Sequence, residues 1–154
     1  MFDTLHDRIS RINCLTEDID SLYHQAALKL GVSDSVLFIL YMIFIRGERC
    51  FLYDIYKLSG ISKQTINSAI RKLEIEEIVY LEKHNGKSKI VCLTEKGKSY
   101  ATRTAAKLYE AECNAFRDWS EEEIDFYLHR ASRSAAFHPK AVCGHFGNPA
   151  LASR

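Results

Sequence analysis

The stretch SGISKQTINSAIRKLE, residues 59–74, decides the fold of this chain. Ile66, Ile70 and Leu73 recur in it at helical spacing, which predicts an amphipathic helix whose apolar face packs on a core. Ser62 is the natural N-cap, because its side-chain oxygen can accept a hydrogen bond from a free N–H of the first turn. The opposite face carries cations, amides and a hydroxyl but no carboxylate: Lys63, Gln64, Asn67, Ser68 and Arg71. Such a face suits an anionic partner, and the neighbouring elements indicate which one.

The composition bounds the class of protein. With 154 residues, of which 47% are hydrophobic and 27% are charged, the chain is long enough to bury the core of one soluble domain. The formal net charge of +1 is close to zero, so any basic surface for a nucleic acid has to be local. The five cysteines are scattered, form no CxxC pair and follow no signal peptide, so we expect a reduced protein in the cytoplasm.

The most apolar run, VLFILYMIFI at residues 36–45, predicts a buried core helix and no membrane span. It has ten residues, whereas a helix that crosses a bilayer needs about 20. Ser33 is expected to cap this helix, which then covers residues 34–46, and Gly47 to end it. A shorter helix is expected at about residues 52–58, and a glycine turn leads from it into the polar-faced helix.

The N-terminal stretch predicts a helix that pairs with another helix. Leu5, Ile12, Ile19 and Ala26 recur every seven residues, as in a coiled-coil seam, and Gly31 ends the helix. A second apolar row, interrupted at Thr16, consists of Ile9, Tyr23 and Leu30. We expect this seam to bind a second copy of the chain.

After Leu73 the pattern changes from helix to strand. Residues 78–83 and 89–93 are rich in β-forming residues, and Asn85-Gly86 between them predicts a hairpin, because both residues tolerate positive φ. Thr94 is then expected to cap a helix over residues 95–117. Ser120 and Glu123 form a capping box for a last helix that ends near residue 135. Residues 136–154 contain Gly and Pro without periodicity, and we expect them to be disordered.

The order helix, short helix, turn, polar-faced helix and hairpin predicts a helix-turn-helix followed by a wing. In such a unit the second helix enters the major groove of double-stranded DNA, where Gln64 and Asn67 can each make two hydrogen bonds with adenine. Glu74, Glu76 and Glu77 lie at the far end of the helix and are expected to stay away from the duplex. The predicted contacts from the helix and the wing are Ser62, Lys63, Gln64, Thr65, Asn67, Ser68, Arg71, Lys83, His84, Lys87, Ser88 and Lys89.

Other interpretations of this surface are weaker. The polar face can be an ordinary solvated helix face, since charged stripes are common. A winged domain can also serve protein contacts without binding DNA, but exposed aromatics are then expected in place of a cationic face. An enzyme is not indicated, because the sequence has no glycine-rich phosphate loop and no nucleophile elbow, and we predict no catalytic residues and no cofactor.

The chain also resembles the multiple-antibiotic-resistance regulators (MarR family) of bacteria. The matching residues are SDSVLFILYMI (33–43), GISKQTINSAIRKLE (60–74) and VCLTEKGK (91–98), and the resemblance covers roughly residues 5–135. In two places the chain departs from the family pattern. The wing sequence HNGKSK (84–89) lacks the aspartate of the usual Asp-x-Arg motif, so that Lys89 replaces the arginine, and Glu77 stands where the family often has glycine.

The resemblance implies a mainly α-helical, winged helix-turn-helix homodimer with a two-stranded β wing. Residues 1–135 then form a single domain, in which 33–94 are the winged unit and 1–31 and 95–135 are dimerisation helices. Each winged unit is expected to read one half of a pseudo-palindromic operator. The expected mechanism is repression by occupancy, relieved by a small ligand or an oxidant. The dimer–DNA-domain junction can hold a small aromatic effector in this family, and an aromatic core of four tyrosines is expected there: Tyr23, Tyr41, Tyr53 and Tyr56.

Cysteine and histidine side chains are interpreted as structural. Cys14 lies in the N-terminal helix and is expected to be buried and inert, although some family members sense oxidants through a cysteine near the start of the chain. Cys92 is expected to pack within the wing strand. The tail residues His138, Cys143 and His145 match no established zinc spacing, so no metal site is predicted.

Overall fold

The computed structural model describes residues 4–132, and the chain divides into two compact units between residues 111 and 112. Residues 121–132, the last helical stretch described, follow a turn at residues 116–118. The other elements, in chain order, are α1 (Leu5–Leu30), α2 (Asp34–Ile45), β1 (Arg49–Phe51), α3 (Leu52–Ser59), α4 (Lys63–Ile75), β2 (Val79–Lys83), β3 (Lys89–Leu93), α5 (Glu95–Arg103) and α6 (Ala105–Ala115). The predicted mainly helical, winged architecture is confirmed.

The core of the first unit lies between α2 and α4. Ile39 and Ile43 of α2 are fully buried, and Ile66 and Leu73 of α4 are buried against the same cluster. Burial of side chains of this size stabilises the fold by about 1.5–3 kcal/mol each. The predicted core face of the polar-faced helix is therefore confirmed. Within the described residues no single helix is both long and apolar enough to cross a membrane, and only α1 and α2 together, bent by 92°, reach that length and composition.

The helices begin where their capping residues predict. The hydroxyls of Ser33, Ser62 and Thr94 accept hydrogen bonds from the amides of Val36, Thr65 and Gly97 respectively. An N-cap of this kind satisfies one of the amides that lack a partner inside the helix. The predicted starts of α2, α4 and α5 are confirmed by these contacts.

The wing is the predicted two-stranded hairpin of β2 and β3, and a third strand that was not predicted, β1, pairs with β3 in the same sheet. The strand order is β1-β3-β2, and Arg49 pairs with Cys92 while Val79 pairs with Leu93. Strand β1 has three residues, too few for an alternating pattern to be visible in the sequence. It joins the wing to the end of α2, and its Cys50 is buried.

The predicted hairpin forms the wing, and its turn spans residues 85–88. Asn85 accepts a hydrogen bond from the amide of Ser88 at 3.4 Å, so Gly86 and Lys87 are the central residues of the turn. Only Gly86 has a positive φ, 68°, among the described residues of this loop. A glycine at the first central position is what a type II′ turn requires.

Helix α4 ends in a left-handed turn without a glycine. The amide of Ile78 donates to the carbonyl of Leu73 at 2.8 Å, and the amide of Glu77 donates to Glu74 at 3.0 Å. These two bonds form a Schellman motif, in which the residue after the helix is usually glycine. Here Glu77 takes that place at φ 57°. The turn into the wing is thus kept despite the departure from the family pattern.

The single helix predicted over residues 95–117 is broken at Thr104, and that prediction was wrong. The Thr104 hydroxyl donates to the carbonyl of Tyr100 at 2.8 Å, which is the carbonyl that its own amide would use in an α-helix. The amide instead donates to Ala101 at 3.2 Å, and Thr104 adopts φ −123° and ψ −82°. The buried threonine side chain therefore separates α5 from α6.

The second unit contains an aromatic cluster around the start of its last helix. The Trp119 ring lies 4.9 Å from that of Phe116 and 5.6 Å from that of Tyr127, in edge-on geometry. Ser120 and Glu123 exchange the two hydrogen bonds of the predicted capping box, which is confirmed. The prediction of a disordered tail at 136–154 lies outside the described residues, and the single-domain boundaries stay a prediction.

Candidate nucleic-acid interface

A groove of about 1060 Å³ lies between α3, α4 and the wing. Its lining brings together two parts of the chain that are far apart in sequence, the polar face of α4 and the tip of β3. Eight of the twelve predicted contact residues line it: Lys63, Gln64, Asn67, Ser68, Arg71, Lys87, Ser88 and Lys89. The structure therefore joins the predicted helix face and the wing into one concave surface.

The polar face of α4 is presented to the groove because its other face is locked in the core. Ile66 is fully buried, and Ile70 is 3% exposed. Lys63, Asn67 and Arg71 are four residues apart, so they form one row along the exposed side of the helix. Rotation of α4 about its axis would expose the isoleucines, which fixes the direction in which the polar row faces.

The cations of the groove are left without carboxylate partners. In the described part of the chain, ion pairs occupy Arg46, Arg49, Lys72 and Lys98, and none of these side chains lines the groove. The four cations that line it are Lys63, Arg71, Lys87 and Lys89, and within residues 4–132 no carboxylate lies within ion-pair distance of them. The surface is therefore locally positive although the chain as a whole is almost neutral.

One carboxylate does reach the groove, which corrects the prediction for the far end of α4. Glu74 lines the same groove as Lys89, whereas Glu76 pairs with Lys72 at 3.9 Å outside it. Glu74 follows Arg71 by three residues and so lies one turn along the same helix.

Four predicted contact residues lie outside the groove lining. Ser62 and Thr65 are bonded to each other through their hydroxyl oxygens at 2.8 Å, as part of the helix cap. Lys83 is exposed at the end of β2, opposite Lys89. The ring of His84 packs edge-on against Phe51 at 5.3 Å and ties the wing to the start of α3.

Two tyrosines of α3 belong to the groove, and the sequence-based prediction placed them in an aromatic core. Tyr53 is 68% exposed and lines the groove, so its assignment to a core was wrong. Tyr56 is partly buried, with its ring packed on the hydrophobic cluster and its hydroxyl in the groove. Ile55, which lies between them in sequence, is fully buried. Because residues two apart in a helix lie on different faces, the position of Ile55 indicates that Tyr53 faces away from the core. Tyr23, at 43% exposure, is likewise not a core residue in the described chain.

Tyr56 contacts two side chains of the polar row. Its hydroxyl donates a hydrogen bond to Oδ1 of Asn67 at 2.5 Å, and the ammonium of Lys63 lies 5.6 Å from its ring centroid. A cation at that distance from an aromatic face is attracted to it by about 0.5–1 kcal/mol at an exposed site. The oxygen of Asn67 that was predicted to accept a bond from adenine thus already has a partner.

The described cysteines divide into two exposed and two buried thiols. Cys14 is exposed, so the expectation that it is buried was wrong for the single chain. Cys92 is buried as predicted; burial, followed by its hydrogen bond to Glu82, raises the pKa of its thiol. Burial also raises the pKa of Cys50. Within the described residues no three His, Cys, Asp or Glu side chains are grouped to hold a metal, and His138, Cys143 and His145 lie outside them.

Comparison by sequence finds no protein-family model that matches the chain. No curated protein matches it either. The likeness to known proteins is therefore one of structure.

Solved structures of MarR-family regulators share the fold. A MarR family regulator from Neisseria meningitidis superposes with a TM-score of 0.78 at 14% identity, over 90% of this chain and 98% of the other. A putative MarR family transcriptional regulator from Listeria monocytogenes, complexed with 26mer DNA, gives 0.62 at 20% identity, over 88% and 89%. BpsR of Bordetella bronchiseptica, whose DNA binding is regulated by 6-hydroxynicotinic acid, gives 0.59 at 13% identity, over 81% and 98%. The predicted resemblance in fold is confirmed.

Proposed function

We propose that this chain is a transcriptional regulator that binds double-stranded DNA in a sequence-specific manner. The observation that carries the proposal is the groove in which Lys63, Arg71, Lys87 and Lys89 converge without carboxylate partners. Lysine and arginine side chains without a carboxylate partner can replace the counterions condensed on a phosphate backbone, and the release of those counterions favours binding. The amides and hydroxyls between them add groups that can read base edges.

In the proposed complex the helix and the wing have separate tasks. An α-helix fits the major groove of B-DNA, and the exposed row Lys63, Asn67 and Arg71 would then face the base edges. The wing residues Lys87 and Lys89 line the groove opposite α4. The adjacent phosphate backbone of a duplex docked in this way would pass along them. Contacts to phosphates fix the register of the helix, and contacts to bases supply the specificity.

The shared fold supports this assignment. The Listeria regulator of the same fold was solved as a complex with DNA, and a structure of the Staphylococcus aureus MepR–DNA complex superposes with a TM-score of 0.60. A DNA-binding role explains the free cations, whereas a solvated helix face does not require them to converge with the wing.

We further propose that the active species is a homodimer that binds a pseudo-palindromic site. Helix α1 exposes the apolar seam predicted from its heptads, with Leu5 at 74%, Ile12 at 61% and Ile19 at 47% exposure. A continuous apolar stripe of this kind on a monomer marks an interaction site. A dimer with two-fold symmetry places two α4 helices on successive major grooves and so reads both halves of the site.

Regulation by a small ligand or an oxidant is part of the proposal. Binding of BpsR to DNA is regulated by 6-hydroxynicotinic acid, which shows that the fold can transmit an effector signal. In a dimer the distance between the two α4 helices decides whether both reach their half-sites. An effector that changes this distance would release the operator, and repression by occupancy in the cytoplasm follows as the simplest mode of action.

Selection from random DNA tests the function directly. The purified chain is incubated with a randomised duplex library, and bound fragments are sequenced over several rounds. We expect enrichment of a two-fold symmetric motif, with affinity for that motif at least about a thousandfold above that for scrambled duplex. Retention of folded protein without any enriched motif would contradict the proposal and favour a winged module for protein contacts. The variant Lys72→Ala serves as a control, since Lys72 lies on α4 outside the groove.

A further inference from the structure

We propose that Tyr56 is a specificity-determining residue, which fixes the carboxamide of Asn67 so that this side chain presents a hydrogen-bond donor and prefers guanine. The inference rests on the proposed DNA binding and adds to it a residue of α3 that makes no base contact itself. It follows from the contact between the Tyr56 hydroxyl and Asn67 and from the packing behind the tyrosine.

The structure places the carboxamide oxygen of Asn67, and not its nitrogen, against the tyrosine. The Tyr56 hydroxyl oxygen and Asn67 Oδ1 are 2.5 Å apart, within the span of about 2.5–3.0 Å for bonds of the O–H···O type. The carboxamide oxygen therefore accepts from the tyrosine, and the amide nitrogen lies on the other side of the group.

The tyrosine is a rigid support for this orientation. Its ring packs against the core cluster, and the neighbouring Ile55 is fully buried, so α3 holds the hydroxyl in place. The ammonium of Lys63 covers the ring face, which adds a second contact from the same row of α4. Asn67 is exposed, and without the hydroxyl its carboxamide could rotate to place either atom in the groove.

The fixed orientation changes which bases Asn67 can read. Recognition of adenine by asparagine uses both ends of the carboxamide, the oxygen toward N6–H and the nitrogen toward N7. In this chain the oxygen is directed to Tyr56, and within the described residues no hydrogen bond engages the Asn67 nitrogen. An NH₂ group that faces the duplex matches the two acceptors of guanine, N7 and O6, and is repelled by the N4 amino group of cytosine.

The experiment measures base preference in the variants Tyr56→Phe and Tyr80→Phe. Both variants remove one hydroxyl and keep the aromatic ring, but only Tyr56 is bonded to Asn67, whereas Tyr80 lies on β2 outside the groove lining. For each protein, affinities are measured on duplexes that carry each of the four bases at the position whose preference is lost in Asn67→Ala. Thermal unfolding and affinity for scrambled duplex are measured alongside.

We expect wild type and Tyr80→Phe to prefer guanine at that position. In Tyr56→Phe the affinity ratio between guanine and the other bases should fall at least about fivefold, the equivalent of one hydrogen bond. Affinity for scrambled duplex should stay within about twofold, because the lysine contacts to phosphate are unchanged. In the Asn67→Ala background, Tyr56→Phe should have no further effect on base preference. A merely structural role of the tyrosine would instead lower thermal stability and weaken binding to all duplexes alike.

The outcomes separate this inference from the proposed function. If wild type selects a motif but Tyr56→Phe retains the same preference, or if adenine is preferred at the Asn67 position, the inference is wrong and the DNA-binding function stands. If wild type selects no motif, the proposed function fails and the inference fails with it. Asn67→Asp offers an independent check, because a carboxylate has no donor and should abolish the guanine preference.

Discussion

Gly97 packs so closely on the carbonyl of Ile78 that a Cβ atom at residue 97 would lie 1.9 Å from the Ile78 oxygen. The same carbonyl accepts the amide of Thr94 at 3.1 Å, and the Thr94 hydroxyl accepts the amide of Gly97 at 2.9 Å. The first turn of α5 thus rests directly on the backbone that leads from α4 into β2. This contact explains the glycine of the TEKG sequence in physical terms.

Replacement of that glycine should be severely destabilising. In Gly97→Ala the new methyl group meets a backbone oxygen, which cannot move away as a flexible side chain could. We expect the free energy of unfolding to fall by at least about 2 kcal/mol, measured by urea denaturation followed by circular dichroism. The control Ser99→Ala changes an exposed residue of the same helix and should stay within about 0.5 kcal/mol of wild type. Equal stability of the two variants would contradict the close contact.

Replacement of Glu77 by glycine should stabilise the chain. Glu77 adopts φ 57° in the turn after α4, whereas the equivalent turn after α2 uses Gly47 at φ 78°. A left-handed conformation costs a residue with a Cβ about 1 kcal/mol relative to glycine, and this gain exceeds the entropy that glycine adds to the unfolded chain. We expect Glu77→Gly to raise the urea midpoint by the equivalent of about 0.5–1 kcal/mol. Glu76→Gly, at φ −78°, is the matched control and should lower the midpoint instead.

Much of the fold was predictable because its signals are local. The cap at Ser62, the spacing of Ile66, Ile70 and Leu73, and the capping box at Ser120 each depend on a few neighbouring residues, and all were found as expected. Local signals of this kind fix where helices begin and which face is buried.

What the sequence did not reveal depends on contacts between distant residues. Strand β1 forms because Arg49 to Phe51 pair with β3, more than thirty residues away. The three residues of β1 carry no sequence pattern that indicates this pairing. The break at Thr104 arises because the Thr104 hydroxyl donates to the carbonyl of Tyr100, which the Thr104 amide would use in a continuous helix. The sequence does not show which of these two donors uses the carbonyl. The role of Tyr56 required the distance to Asn67, which only the packing of α3 on α4 determines.

The thiols should differ in reactivity according to their burial. Cys14 and Cys113 are exposed, while Cys50 and Cys92 are buried and have a raised pKa, which keeps them in the unreactive thiol form at neutral pH. At 100° per residue, Cys14 lies on the face of α1 opposite the heptad seam, so a dimer held by this seam alone would leave it accessible. Brief treatment with iodoacetamide, followed by peptide mass mapping, should label Cys14 and Cys113 at least about tenfold faster than the buried pair. Rapid labelling of Cys92 would mean that the wing opens readily.

The heptad seam of α1 should hold a dimer together. Light scattering at micromolar concentration should give about twice the mass of 17.7 kDa. The double variant Ile12→Asp and Ile19→Asp places charges on the exposed apolar stripe and should yield a monomer that stays folded, because neither residue belongs to the core cluster. Asp18→Lys alters a charge on another face of the same helix and should remain dimeric. A monomeric wild type would remove the basis for a palindromic operator.

The salt dependence of DNA binding should distinguish the cations of the groove from those outside it. Lys89 lines the groove and has no carboxylate within ion-pair distance in the described chain, whereas Lys72 is an exposed lysine paired with Glu76 at 3.9 Å. If Lys89 displaces a counterion from one phosphate, Lys89→Ala should reduce the slope of log affinity against log salt concentration by about 1.

The loss of affinity in Lys89→Ala should be the same on the selected motif and on scrambled duplex, because a phosphate contact carries no sequence information. Lys72→Ala removes an equal charge from the same chain and should leave the slope unchanged within error, so net charge alone cannot account for a difference between the two. A salt titration of wild type and both variants on the two duplexes, with thermal unfolding as a check on folding, decides the matter. Equal slopes for Lys89→Ala and Lys72→Ala would show that the wing does not lie on the phosphate backbone, and the docking of α4 and the wing on one duplex would have to be abandoned.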